Sequence, residues 1–262
     1  MTSPMKIKIG IIGGSGFDRS DILTNRQEHD IDTPYGKPSD KLVSGQINSI
    51  DCVNYRANLW ALNEMGVNLI LATTAVGSLS PELKRGALVI LDNYIDMTKF
   101  RCSTFYDGGE LHPQGVMHVS MHPPYHRELR QLLIDSCKDL KIDDYKEKST
   151  ILVIEGPNFS TYAENKVFIS WGCTTIGMTQ TPEAILAKEL AIPYAALAIV
   201  TDDICYKEDG IVDPNEVVTI FKATFPKAME VLKLTIKKIG EKDWTDSTNA
   251  LKRLVGEALM KH

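Results

Sequence analysis

The strongest limit on the fold is a series of short, unbroken apolar runs: Leu69-Ile70-Leu71-Ala72, Ala87-Leu88-Val89-Ile90-Leu91, Ile151-Leu152-Val153-Ile154 and Ala195-Ala196-Leu197-Ala198-Ile199-Val200. Each is four to six residues long and bounded by turn residues, as strands buried on both faces tend to be. Ile7-Lys8-Ile9-Gly10-Ile11-Ile12 reads as a further buried strand. Helical patterns separate the runs. Tyr125 to Leu140 is amphipathic, and Thr181-Pro182-Glu183 begins another helix with an N-cap residue, a proline at the first helical position and an early acid. Pro214 to Ile239 and Trp244 to Met260 read as a helical C-terminal part. Strands alternating with helices predict an α/β layer fold whose central sheet is largely parallel and flanked by helices. Lys41-Leu42-Val43-Ser44-Gly45-Gln46-Ile47-Asn48 is the exception and reads as an early hairpin. No linker, repeat or charged block divides the 262 residues, so residues 1–262 are expected to form a single domain.

Charge and composition remove several classes of function. A formal charge of −5 argues against nucleic acid or an anionic membrane surface as the main partner. No apolar run approaches the roughly 20 residues of a membrane span, and the first six residues hold no signal-peptide core. The five cysteines are scattered and form no C-x-x-C, which suits free thiols in a reducing cytosol.

Sheets of this class bind ligands at the carboxyl ends of their strands. Those ends read Gly13-Gly14-Ser15, Thr73-Thr74-Ala75-Val76-Gly77-Ser78, Glu155-Gly156-Pro157-Asn158-Phe159-Ser160 and Thr201-Asp202-Asp203. The first glycine run does not fit the G-x-G-x-x-G spacing of a dinucleotide site, which leaves a smaller anion or a plain turn. The Thr73-Thr74 pair offers hydroxyls and accessible N–H groups to an oxyanion, or is simply a β-branched strand end. Phe159 is placed to stack on a sugar or base, or is a core residue. Asp202 is a carboxylate ending an apolar strand, costly there unless it has a purpose, although an Asx turn accounts for many such residues. His112, His118, His122 and His126 crowd one stretch, but Pro123 and Pro124 forbid a continuous helix through it, and no metal site is expected.

Taken together, KIGIIGGSGF, DTPYGKPSD, VNYRANLWAL, TTAVGSL, GALVILDNYIDMT, FYDG, EGPNFSTYAE, GMTQTPEAILAKE and AIVTDD resemble the trimeric purine nucleoside phosphorylase family, most closely its S-methyl-5'-thioadenosine phosphorylase branch. The resemblance runs from Ile7 to about Trp244. It implies a single-domain nucleoside phosphorylase fold, a homotrimer in cytoplasm and nucleus, and phosphate-dependent cleavage of methylthioadenosine or adenosine. From methylthioadenosine the products are adenine and 5-methylthioribose 1-phosphate, with no organic cofactor and no metal. By the same resemblance Ser15, Thr74 and Ala75 bind phosphate and Thr179 lies close to it. Val76, Gly77, Phe159 and Met178 border the nucleoside. Asp202 meets adenine at N7 and the 6-amino group, His118 reaches a neighbouring subunit's methylthio pocket, Val217 and Val218 line the 5'-substituent pocket, and Met260 in the last helix reaches a neighbour's site.

The chemistry agrees with these residues. Breaking the C1'–N9 bond puts negative charge on the purine and positive charge on the ribose. An acid at N7 supplies a proton, while phosphate stabilises the oxocarbenium ion and bonds to C1'. An Asp accepts from a 6-amino group where an amide would suit a 6-oxopurine. Two departures are visible. Relatives carry an Arg-His-Gly loop that holds phosphate between the hairpin and the NYRANLWAL helix, whereas here Ile50-Asp51-Cys52 runs straight into Val53. Arg56 lies nearby but inside the helix motif. Relatives also read Thr-Asp-Tyr-Asp where this chain has Thr201-Asp202-Asp203-Ile204, which leaves the role of Asp203 open. The alternatives are a purine nucleoside phosphorylase of broader range and a nucleoside-binding paralogue impaired in catalysis by loss of the loop.

Overall fold

The computed structural model describes residues 7–13, 28–39 and 53–260. The expected early hairpin and Ser15 fall outside them. The elements are β1 (Ile9–Ile12), α1 (Tyr55–Glu64), β2 (Leu69–Ser78), β3 (Leu88–Ile90), β4 (Asn93–Met97), β5 (Val116–Met117), α2 (Arg127–Asp139), β6 (Tyr145–Lys146), β7 (Thr150–Ile154), α3 (Tyr162–Ser170), β8 (Thr175–Gly177), α4 (Gln180–Glu189), β9 (Tyr194–Asp202), α5 (Pro214–Gly240), α6 (Thr245–Ala258) and β10 (Leu259–Met260).

The central sheet runs β4-β7-β8-β2-β9-β3-β6, with β1 also paired to β2. The pairings of β2 with β8 and of β3 with β9 are antiparallel and the others parallel, so the sheet is mixed but largely parallel, as read from the sequence. Side chains alternate across a strand, and here the alternation separates two cores. Leu69 and Leu71 of β2 and Leu197 and Ile199 of β9 pack with Leu129 and Leu133 of α2 and Val231 and Leu232 of α5. Ile70, Ala72, Ala196 and Ala198 face the other way, onto Ala57 and Leu59 of α1 and Ala184, Leu186 and Ala187 of α4. A helix layer on each face explains why these strands carry no polar alternation.

Local signals set the helix ends. The side chain of Asn54 accepts the N–H of Ala57 at 3.1 Å and donates to the Tyr35 carbonyl at 2.9 Å, which caps α1 and ties residues 28–39 to it. Thr161 and Glu164 form a reciprocal capping box on α3. Asp213 caps α5 ahead of Pro214 by accepting the N–H of Asn215 at 2.9 Å. At α4, Thr181 is extended (φ −116°, ψ 139°), so regular turns begin at Pro182 as expected, but the Thr181 hydroxyl caps nothing among the described residues. The last expected helix is too long by two residues. It stops at Ala258, and Leu259 and Met260 pair antiparallel with Met117 and Val116, which places Met260 on a short ribbon.

Candidate active site

β7 runs antiparallel to β2 and β9, and the turn that follows it meets the segment before α4 and the second half of β2, while β9 ends at Asp202 opposite Gly77 of β2. Within β2, Thr74 and Val76 are buried while Ala75 between them is exposed, so the strand opens to solvent on that side. The Thr74 and Thr179 hydroxyls meet at 3.0 Å although 105 residues separate them. These two expected phosphate contacts therefore stand together beside Ala75. The Thr73 hydroxyl, on the opposite face of β2 from Thr74, is also buried with no hydrogen-bond partner among the described residues. A buried polar atom left in that state calls for a ligand or a water.

Met178 precedes Thr179 and leans over the turn after β7. A Cβ on Gly156 would sit 2.7 Å from the Met178 sulfur, and Gly156 has φ +79°, so both space and backbone demand glycine there. The turn leads to Phe159, which is 47% exposed. A core role for Phe159 is thereby ruled out, and its ring remains available to a ligand.

Arg101 holds this assembly together and was not singled out from the sequence. Its guanidinium donates to the carbonyls of Met178 (2.6 Å), Thr181 (2.8 Å) and Glu155 (2.7 Å), and to the Glu155 carboxylate (3.1 Å). Burial pushes the Glu155 carboxyl up, but the N–H groups of Lys99 and Phe100 and the Arg101 charge outweigh burial and hold it below the usual range. Beneath the same segment, the buried Glu183 accepts the Tyr194 hydroxyl at 2.7 Å, and Tyr125 and Tyr194 both donate to the Gln180 side chain. Desolvation raises the Glu183 carboxyl to about 7.

Asp202 ends β9 and is buried. One oxygen accepts the N–H of Ile204 at 2.8 Å, which makes an Asx turn, and the other accepts the Cys205 thiol at 3.0 Å. The Asx-turn reading of Asp202 is thus seen directly, and its carboxylate is buried at the strand end. Gly77 lies opposite in the register, where a Cβ would come within 2.8 Å of the Cys205 sulfur and 3.3 Å of the carboxylate. Asp203 turns away to an ion pair with Arg85 at 2.9 Å. A narrow crevice beside Asp202, too tight to hold a water, is lined by Arg85, Thr201, Ile204, Val212, Glu216 and Val217, among others. Val217 therefore shares this crevice with Asp202, whereas Val218 is exposed and does not line it.

The histidines disperse. His112 stacks on Tyr35 at 4.2 Å and bonds to Asp107, and His126 contacts the Ser247 hydroxyl at 3.0 Å. The His118 N–H donates to the Ala258 carbonyl, beside the β5–β10 ribbon that carries Met260. His118 and Met260, both expected at a neighbouring subunit, thus share one exposed ribbon. Among the described residues no group of three His, Cys, Asp or Glu is placed to hold a metal ion.

The family model described as "Phosphorylase superfamily" matches residues 8–239. The chain belongs to this superfamily. It is 43% identical to the S-methyl-5'-thioadenosine phosphorylase of Xenopus tropicalis, with 99% of each chain covered. Among solved structures, the methylthioadenosine phosphorylase of Schistosoma mansoni in complex with adenine superposes with a TM-score of 0.92 at 34% identity, covering 97% of this chain and 99% of that one. A variant of the adenosine/methylthioadenosine phosphorylase of the same organism, in complex with methylthioadenosine, gives 0.90 at 34%, covering 97% and 99%.

The alignment with the Xenopus relative spans 278 positions against 262 residues in this chain, so that relative carries residues this chain lacks. Arg56, the nearest arginine after the short junction, is committed elsewhere: it pairs with Asp107 and lies 4.8 Å over the Tyr35 ring. No basic side chain among the described residues hydrogen-bonds the Thr74 or Thr179 hydroxyl.

Proposed function

We propose that this chain cleaves S-methyl-5'-thioadenosine with inorganic phosphate, giving adenine and 5-methylthioribose 1-phosphate. The observation that carries the reading is the buried carboxylate of Asp202, which ends β9 beside Gly77 on the same edge as the Thr74–Thr179 pair. The full-length likeness to phosphorylases of this substrate supports it. Asp202 faces purine N7 and the 6-amino group, accepts from the amine and shares the proton that N7 takes up as negative charge develops on the leaving base. The Thr74 and Thr179 hydroxyls and the open backbone at Ala75 orient the phosphate that attacks C1'. Phe159 and Met178 cover the nucleoside and exclude water from the developing oxocarbenium ion. Ser15 completes the phosphate contacts, and phosphate enters as a co-substrate with no organic cofactor or metal. The homotrimer belongs to the same proposal, with His118 and Met260 meeting a neighbouring subunit, as do the cytoplasmic and nuclear locations.

Competing phosphorolysis of methylthioadenosine and inosine tests the substrate. Methylthioadenosine is expected to be preferred by about 10²-fold or more in kcat/KM, because Asp202 leaves a 6-oxo group unpaired. A preference for inosine contradicts the reading and favours the broader nucleoside phosphorylase. The committed Arg56 and the shorter chain favour a second reading, a nucleoside-binding relative with impaired phosphate capture. It predicts tight methylthioadenosine binding without phosphate-dependent release of adenine.

A further inference from the structure

Residue Val217, expected to meet the 5'-substituent, sits on a part of α5 with little packing of its own. Phe221 is the first buried residue of that helix, and residues 207–211 leading toward it are exposed. Arg85 bridges the gap. Its Nε lies 2.9 Å from the Asp203 carboxylate, and its Nη1 donates to Glu216 in the first turn of α5. The arginine comes from a fixed base, because the Gly86 N–H donates to the Val200 carbonyl at 2.8 Å and the Lys227 ammonium donates to the Gly86 carbonyl. Asp213 is already used as the helix cap, which leaves Glu216 as the acid of that turn free to take the guanidinium. Arg85, Asp202, Glu216 and Val217 line the same cleft. The Arg85 Nε–H is buried and makes no aligned hydrogen bond among the described residues, its approach to Asp203 being an ion pair off the N–H axis.

We propose that Arg85 is a positioning residue for substrate fit: its clasp on Asp203 and Glu216 holds the first turns of α5, and Val217 with them, against the cleft on which Asp202 opens. The inference rests on the adenine-nucleoside reading of that cleft. It also gives Asp203 a task, since in this chain the residue after Asp202 anchors the clasp and does not face the base. Adenine alone needs only the Asp202 end, whereas methylthioadenosine needs the 5' end as well, so the clasp separates the two ligands.

The test is calorimetric binding of adenine and of methylthioadenosine to the full chain and to its R85M and R85K variants, at low and high salt. In R85M, methylthioadenosine affinity is expected to fall roughly tenfold while adenine affinity stays within about twofold, with partial recovery in R85K. Raising the salt is expected to weaken methylthioadenosine binding in the unmodified protein and to have little effect in R85M, because both ion pairs are partly exposed. Unchanged methylthioadenosine affinity in R85M, or equal losses for both ligands, overturns the clasp. If the unmodified chain binds neither ligand, the functional reading itself fails, and the clasp with it.

Discussion

At the Thr74–Thr179 end of the edge the bracing is buried. The Arg101 side chain is 6% exposed and spends its donors on three carbonyls and a carboxylate, and Glu183 lies among Tyr194, Tyr125 and Gln180. At the Asp202 end the bracing is half-open, with Arg85 30% and Glu216 45% exposed. Buried charged groups with full hydrogen bonding cost several kcal/mol to disrupt and are poorly screened by salt, whereas exposed pairs contribute about 1 kcal/mol or less. The attacking anion is the same for every substrate and suits a rigid seat. The half-open ion pairs at the Asp202 end can rearrange at little cost in stability, which is what the proposed clasp requires.

The largest expected effect breaks the chemistry and leaves the frame alone. D202N is expected to lower kcat/KM for methylthioadenosine by about 10²–10⁴-fold with little change in melting temperature, since an amide cannot share the proton at N7. Adenine-release kinetics and a thermal melt check it together. Next, R101M attacks the buried brace. It is expected to cost about 3–5 kcal/mol of unfolding free energy, because it takes the charge partner from one Glu155 oxygen and the donor from three carbonyls. Urea unfolding reads the loss, and R101K, lacking the fork, is expected to recover only a small part of it.

Glu183 supplies a pH signature for the buried end. Its carboxyl titrates near 7 when folded against 4.5 as the reference, so between those values the native chain holds a proton that the unfolded chain has lost. Stability therefore falls as pH rises through that window, by about 3 kcal/mol at most, and E183Q is expected to flatten this fall. Urea midpoints of both proteins across the window measure it, and parallel curves would remove Glu183 as the source. The smallest effect belongs to the open end, where E216Q is expected to change stability by less than about 1 kcal/mol. A loss as large as that of R101M would erase the contrast between the two ends.

Much of the frame was legible because burial on both faces writes continuous apolar runs, as at Leu69–Ala72 and Ala195–Val200. β4 escaped because Asn93-Tyr94-Ile95-Asp96-Met97 is an edge strand, half-exposed and broken by polar residues. α3 carried a readable signal in Thr161 and Glu164, the spacing of a capping box. The site divides in the same way. Asp202 and Thr74 stand out by local chemistry and Thr179 only through the family resemblance, but Arg101 and Arg85 do not. Their acceptors lie 54 to 80 residues away for Arg101 and 131 for the Arg85–Glu216 bond, and nothing in the local pattern announces such partners. The end of the last helix was misread because Leu259 and Met260 continue an apolar pattern that pairing with Val116 and Met117 turns into a strand.

The decisive measurement is adenine release from methylthioadenosine by the purified chain, with and without inorganic phosphate. The account predicts release that requires phosphate and yields the sugar 1-phosphate in equal amount. Adenine and methylthioadenosine bound without release, or release that ignores phosphate, would contradict it.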